Sequence, residues 1–146
     1  MRTLPSKSNG MYLNCKTYFS LRFGTFSTKE LVVQAVENGI TALALTNINS
    51  TCDIWDFVKF CREENIKPIP GVEIRNDDEI LYILLAANNK GMAWINEFVS
   101  NHLIEDKPFP AMAEEHPFFT DNWDGYVIYP LDRRKPEDLM PNEYIG

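Results

Sequence analysis

Ala42-Leu-Ala-Leu-Thr-Asn-Ile-Asn-Ser50 is an apolar run that ends abruptly in amides and hydroxyls. A strand that is apolar at successive positions, rather than at every second one, must be covered on both faces, by helices or by the filling of a barrel. Residues 42–46 therefore predict an interior strand of an α/β protein. The polar ending that follows lies where the loops of such folds converge, at the carboxyl end of the strand.

The flanking sequence fits the same layout. Residues 11–16 read as an earlier strand, and Ser27-Thr-Lys-Glu30 is a capping box that opens a helix. Leu31, Val32, Ala35 and Val36 form that helix's buried stripe, and Gly39 closes it in the left-handed conformation. After the decisive strand, Ile54, Phe57, Val58 and Cys61 recur with helical spacing, and Asp53 near the start suits the helix dipole. Residues 66–74 predict a third strand that Pro68 and Pro70 push toward an edge. Asn76-Asp77-Asp78-Glu79 is a turn, and residues 80–87 form an apolar strand able to return as a hairpin. Met92, Ile95 and Val99 line a third helix. Residues 105–124 read as a long loop, 126–129 as a short strand, and Tyr144 and Ile145 as the start of another ordered element.

A chain of 146 residues with 45% apolar content is enough for one domain with a real core. Twenty-one acids against fourteen bases give a net charge of -7, which argues against a face that grips a nucleic-acid backbone. Three cysteines, Cys15, Cys52 and Cys61, suggest neither a disulfide framework nor a zinc knuckle, so a reducing cytoplasm is the expected setting. No apolar stretch approaches the roughly 20 residues of a membrane span. Residues 1–10 are expected to be a loose leader and 11–146 to be the ordered portion, a fragment of a longer protein.

The strand ends place Asn14, Lys16, Asn47, Ile48 and Glu73 where chemistry is expected. A hydrolytic metal centre needs several imidazoles and carboxylates, and here Glu73 alone supplies one. Lys16 is a cation standing where a metal would sit, able to pair with Glu73. The two amides are expected to fill gaps by hydrogen bonding. His102 reads as a helix-end residue and His116 as solvent-facing, neither with a ligand-spaced partner, and Cys15 as a small buried hydrophobe. Tyr18, Phe19 and Phe23 beside Arg22 offer a stacking surface for bases, but on an acidic chain packing is the expected role. Trp94, Phe109, Phe118, Phe119 and Trp123 would mark a docking surface wherever they are exposed.

Tyr18-Phe-Ser20, Ala42-Leu-Ala-Leu-Thr46, Gly71-Val-Glu73 and Leu84-Leu-Ala-Ala-Asn88 with Gly91 together resemble the PHP (polymerase and histidinol phosphatase) domain. The likeness is greatest to the form that opens the alpha subunit of bacterial DNA polymerase III. The resemblance implies a partial, distorted TIM-like (β/α) barrel. In metal-binding members the first motif is His-x-His followed by Ser or Thr, and here Asn14-Cys15-Lys16-Thr17 matches it. The Asp-His that follows an apolar strand becomes Asn47-Ile48, the carboxylate becomes Glu73, and a further family histidine falls on Leu81. The resemblance thus implies a degenerate metal site at Asn14, Lys16, Asn47, Ile48, Glu73 and Leu81, with no catalytic residue and no cofactor in this segment. It further implies a structural or interaction role within a replicative polymerase, with the remaining alpha-subunit domains, and a proofreading exonuclease subunit, as partners. Residual phosphoesterase or 3'-5' exonuclease activity, with weak magnesium at Glu73, is the alternative.

Overall fold

The computed structural model describes residues 10–120 and 122–146. Its strands are β1 (Gly10–Cys15), β2 (Ile40–Leu45), β3 (Lys67–Asn76), β4 (Glu79–Ala86), β5 (Gly125–Tyr129) and β6 (Glu143–Ile145), and its helices are α1 (Thr28–Glu37), α2 (Ile54–Glu63) and α3 (Asn89–Ile104). They form one sheet in the order β1-β2-β3-β4-β5-β6. The pairs β1–β2, β2–β3 and β5–β6 are parallel, and β3–β4 and β4–β5 are antiparallel. The sheet curls into a half-barrel with the helices on its outer side. Residues 1–9 of the leader expected over 1–10 lie outside the described residues, and Gly10, assigned to that leader, instead belongs to β1.

Each helix starts and stops for a local reason. Ser27 accepts from the Glu30 amide while the Glu30 carboxylate accepts from the Ser27 amide, which completes the predicted capping box. Gly39 takes φ 69° just beyond α1, a conformation that costs little without a Cβ. Val36 is exposed, and Thr28 joins Val32 and Ala35 on the buried side instead. Asp53 stands at the start of α2, as its place in the sequence suggests. It makes no side-chain cap on α2, and its carboxylate accepts from the Thr28 hydroxyl, tying the starts of α1 and α2 together. Asn88 caps α3 by accepting from the Gly91 amide. Gly91 is required by close approach, since a Cβ there would lie 1.9 Å from the Asp124 carbonyl oxygen.

The prolines of β3 have an exact structural setting. Residues 67–70 pair with β2 alone, and pairing with β4 begins only at Gly71. β3 is therefore central overall but an edge where Pro68 and Pro70 stand, so their missing donors leave no gap in a two-sided ladder. Between Ile74 and Arg75 the β3–β4 register shifts, and Leu81 is the unpaired extra residue of a bulge.

Alternation divides the sheet's side chains between two faces. Leu43, Leu45, Val72, Ile74, Tyr82 and Leu84 pack outward with the helices in the main core. Ala44, Ile83 and Leu85 lie on the concave side with Ile69 and Ile128. That concave side bounds an open apolar groove of about 780 Å3, whose lining includes Met11, Leu13, Ile69, Leu85, Tyr126 and Tyr144. The stretch 105–124 is better packed than a loop reading suggests. It contains a 3-10 turn at Ala113–Glu115, and Phe109, Phe119 and Trp123 are buried in the main core rather than displayed for docking. Phe98 of α3 is the hub, with Phe109 and Phe119 ring centroids at 5.4 and 4.8 Å. No described helix is long and apolar enough to cross a membrane.

Phe57 and Trp55 sit two residues apart on α2, one fully buried and one 79% exposed. Phe57→Ala should lower unfolding stability by about 3–5 kcal/mol, and Trp55→Ala by less than about 0.5 kcal/mol, measured by urea denaturation.

Candidate functional site

Glu73 is the centre of the site. It projects from β3 between β2 and β4, and only 1% of its side chain is exposed. A lone carboxylate at that depth demands partners, and both of its oxygens have them. Lys16 Nζ lies 2.7 Å from Oε2, and Arg75 Nε lies 2.6 Å from Oε1. The Asn14 side-chain amide also donates to Oε2, at 3.2 Å. Burial alone pushes the Glu73 carboxyl up, but hydrogen bonds and charge from Lys16, then from Arg75, outweigh it and hold the group below its ordinary 4.5.

Local backbone structure explains how the cations arrive. Lys16 follows directly on β1, beyond a register irregularity between Tyr12 and Cys15. Its ammonium also donates to Asn14 Oδ1 at 2.6 Å, and the Thr46 hydroxyl donates to the same oxygen at 2.8 Å. Arg75 stands two residues after Glu73 on one strand and hence shares its face. The Arg75 backbone is fixed from both directions by Asn49, whose Oδ1 accepts from the Arg75 amide and whose Nδ2 donates to the Arg75 carbonyl. The Phe23 ring covers the guanidinium, with Cζ 4.3 Å from the ring centroid.

Asn47 works beside this cluster rather than in it. It is buried, and its Oδ1 accepts from the Thr17 amide and the Ser20 hydroxyl, while its Nδ2 donates to the Thr17 hydroxyl. One amide thus ties the loop after β1 to the end of β2. Ile48 contributes backbone: its amide donates to the Ser20 hydroxyl, and it bridges to Glu73 in parallel register. Leu81 stands apart, because the bulge turns it into the main core on the helix side. The structure therefore gathers Asn14, Lys16 and Glu73, sets Asn47 and Ile48 alongside as supports, and leaves Leu81 elsewhere.

Five participants were not singled out from the sequence: Arg75, Asn49, Thr17, Ser20 and Thr46. Arg75 had a readable signal, since an Arg two residues from an acid on one strand must share its face. Thr17, Ser20 and Thr46 are buried polar residues flanking the predicted positions, but short hydroxyl side chains in loops carry no such pattern.

His102 lies in the last turn of α3, as its spacing suggests, while His116 departs from the solvent-facing reading. His116 is half-buried, and its ring lies 5.8 Å from that of His102, so the two do come together within the aromatic cluster around Phe98. Burial, and then the neighbouring His102, lower the His116 pKa. His102 contacts the Phe98 carbonyl through Nδ1, at 2.8 Å. Cys15 packs against the main core, and burial pushes its thiol up despite the adjacent Lys16. Tyr18, Phe19 and Phe23 are about half exposed and outside the core, with Phe23 packed on the Arg75 guanidinium and Tyr18 against Phe19.

As a donor set, this site does not fit a catalytic metal. Among the described residues no group of three or more His, Cys, Asp or Glu side chains comes together. The one carboxylate present already has an ammonium on one oxygen and a guanidinium on the other, and a divalent cation would have to displace both against their charge.

A family model described as the PHP domain matches residues 13–128. The DNA polymerase III subunit alpha of Chlamydia muridarum is 36% identical over 92 residues, which is 63% of this chain and 7% of that protein. The corresponding subunit of Neisseria meningitidis serogroup A is 26% identical over 119 residues, 77% of this chain and 10% of that one. This chain thus spans a tenth or less of the length of these curated relatives. A solved structure of a candidate metal-dependent phosphoesterase from Bifidobacterium adolescentis superposes with a TM-score of 0.53 at 22% identity, covering 67% of this chain and 33% of that one. This likeness extends to the fold, a partial TIM-like barrel. The chain belongs to the PHP domain family.

Replacing Glu73 by Gln keeps the volume but leaves two cations at the strand ends without their counter-charge. Glu73→Gln should destabilise the protein by about 3 kcal/mol or more in urea denaturation. The carboxyl is held below its ordinary value when folded, so its contribution is fully present above about pH 4.5 and is lost as pH falls through the lowered folded value. The acid limb of a stability–pH profile should therefore flatten in Glu73→Gln.

Proposed function

We propose that this PHP domain serves as a structural and interaction module of a DNA polymerase III alpha subunit and carries no metal-dependent hydrolysis of its own. Residues 11–146 are then the N-terminal portion of the PHP domain in a longer cytoplasmic polymerase, whose DNA-templated synthesis resides in other domains. The single observation that carries this reading is the Lys16–Glu73–Arg75 cluster, in which internal cations hold the one carboxylate that a metal would need. Asn14, Lys16, Asn47, Ile48 and Glu73 are read as degenerate positions of the family's metal site, whereas Leu81, turned into the core by the bulge, is not.

The curated relatives named DNA polymerase III subunit alpha support the assignment of the parent protein. The apolar concave groove supports an interaction role, because an open sheet face of this kind favours burial against further polypeptide. We place the contact with the remaining alpha-subunit domains there, and a proofreading exonuclease subunit is the second partner proposed for the domain.

The test is elemental analysis of the purified protein after exposure to zinc, manganese and magnesium, followed by incubation with a primer bearing a mismatched 3' end. The expected outcome is less than about 0.1 equivalent of retained transition metal and no removal of nucleotides. Stoichiometric metal, or metal-dependent nucleotide release abolished by Glu73→Ala, would replace this reading with that of a residual phosphoesterase.

A further inference from the structure

Residues 113–120 are held on α3 by rings. Phe119 lies against Phe98 and Phe118 against Trp94, with ring centroids at 4.8 and 5.6 Å. Polar anchors stand at the two ends of the segment. Ala113 donates its amide to the Tyr129 hydroxyl and Glu114 pairs with Arg134 at one end, and the Thr120 carbonyl accepts from the Asn142 side chain at the other. Between these anchors one titratable ring belongs to the contact: His116 has its centroid 4.8 Å from Phe98, 4.7 Å from Phe118 and 5.8 Å from His102.

The hydrogen bonds give the two imidazoles opposite tautomers. His102 Nδ1 lies 2.8 Å from the Phe98 carbonyl oxygen, which can only accept, so this nitrogen carries the proton. His116 is the reverse, since its Nδ1 accepts from the Phe118 amide at 3.3 Å and its ring proton must be on Nε2. His102 can therefore take a second proton and keep its hydrogen bond, in the last turn of α3 where positive charge is favoured. His116 cannot. A proton on its Nδ1 would face the Phe118 N–H, in a half-buried place beside a second imidazole.

The surrounding charges do little to offset this. Glu97 of α3 favours a charged His116, but burial and then His102 outweigh it and lower the His116 pKa. The other charged groups of the neighbouring elements are engaged with one another: Lys90 faces Asp124, Glu105 pairs with Lys107, Glu114 with Arg134, and Glu115 accepts from the Met112 amide. From this arrangement we infer that His116 is a pH-sensitive latch: its neutral imidazole holds residues 113–120 on α3, and protonation releases them, uncovering Phe98 and Phe119. Both of those rings are fully buried while the latch is closed, so opening creates an apolar surface that the closed form lacks. The folded His116 lies below its ordinary 6.5, so the hold is fully present above about pH 6.5 and is lost as pH falls through the lowered folded value. That window is set apart from the Glu73 carboxyl, which titrates below its ordinary 4.5.

The experiment is amide hydrogen exchange on the whole chain at about pH 7.5 and about pH 5.5, with each rate divided by the intrinsic rate at that pH. The opening constant at the His116, Phe118 and Phe119 amides should rise by about threefold or more at the lower pH, while the amides of α2 keep theirs. His116→Gln retains an acceptor and does not titrate, and should remove the pH dependence. His102→Gln should leave part of it in place. If His116→Gln fails to fold, the ring nitrogen chemical shifts of the unmodified protein provide the second measurement: His116 should carry its proton on Nε2 and titrate below the ordinary 6.5. Protection that is equal at the two pH values, a loss shared with α2, or a pH dependence that persists in His116→Gln would each overturn the inference. So would a proton on His116 Nδ1, a His116 titration at or above the ordinary value, or an effect abolished as fully by His102→Gln.

Discussion

One buried carboxylate on β3 organises the ends of the first two strands around it. Glu73 sits within β3 beside the ends of β1 and β2, and its two oxygens bind groups delivered from the end of β1 and from β3 itself. Removing two charges from water is costly, and attraction between them repays the cost only when geometry is good and the remaining polar valences are filled. Both conditions hold here, because Asn14 bridges the ammonium and the carboxylate while Asn49 fixes the Arg75 backbone. The cluster occupies the end of the fold at which α/β barrels assemble their chemistry, and it fills that space with the protein's own charges.

The sheet makes this arrangement possible by changing partners along β3. Its first half joins the parallel β1–β2 unit and its second half begins the antiparallel meander through β4 to β5. Glu73 lies just past this junction, where the loop carrying Asn47 to Asn49 runs alongside β3 and exchanges backbone hydrogen bonds with it. A second polar cluster anchors the end of the described chain. Arg134 pairs with Glu114 and the buried Glu143, and Glu143 accepts from the Tyr129 hydroxyl. The loops at both ends of the sheet are thus held by buried acids facing guanidinium groups.

Much of the architecture was legible because it rests on local rules. The capping box at Ser27, the helical spacing of Ile54, Phe57 and Cys61, and the hairpin about Asp77 and Asp78 each follow from short-range chemistry. The Lys16–Glu73 pairing was legible as well, because strand ends converge in any fold of this class. What escaped was long-range. The burial of Phe119 and Trp123 depends on a loop folding back over α3, and no periodicity marks such a path. The side taken by Leu81 depends on a bulge, and one inserted residue reverses the alternation on which a face assignment relies. Arg75 was overlooked although its spacing from Glu73 was sufficient to place it on the same face.

Pro68 and Pro70 have a consequence beyond the strand they interrupt. An uncovered strand border normally invites a stranger's backbone to zip onto it, and that route leads to fibres as readily as to function. Two imino acids, set at alternate positions where β3 has a neighbour on one side only, cannot supply the donors such zipping needs. Any molecule arriving at the mouth of the half-barrel there must be recognised by shape and oiliness rather than by adding a rung to the sheet.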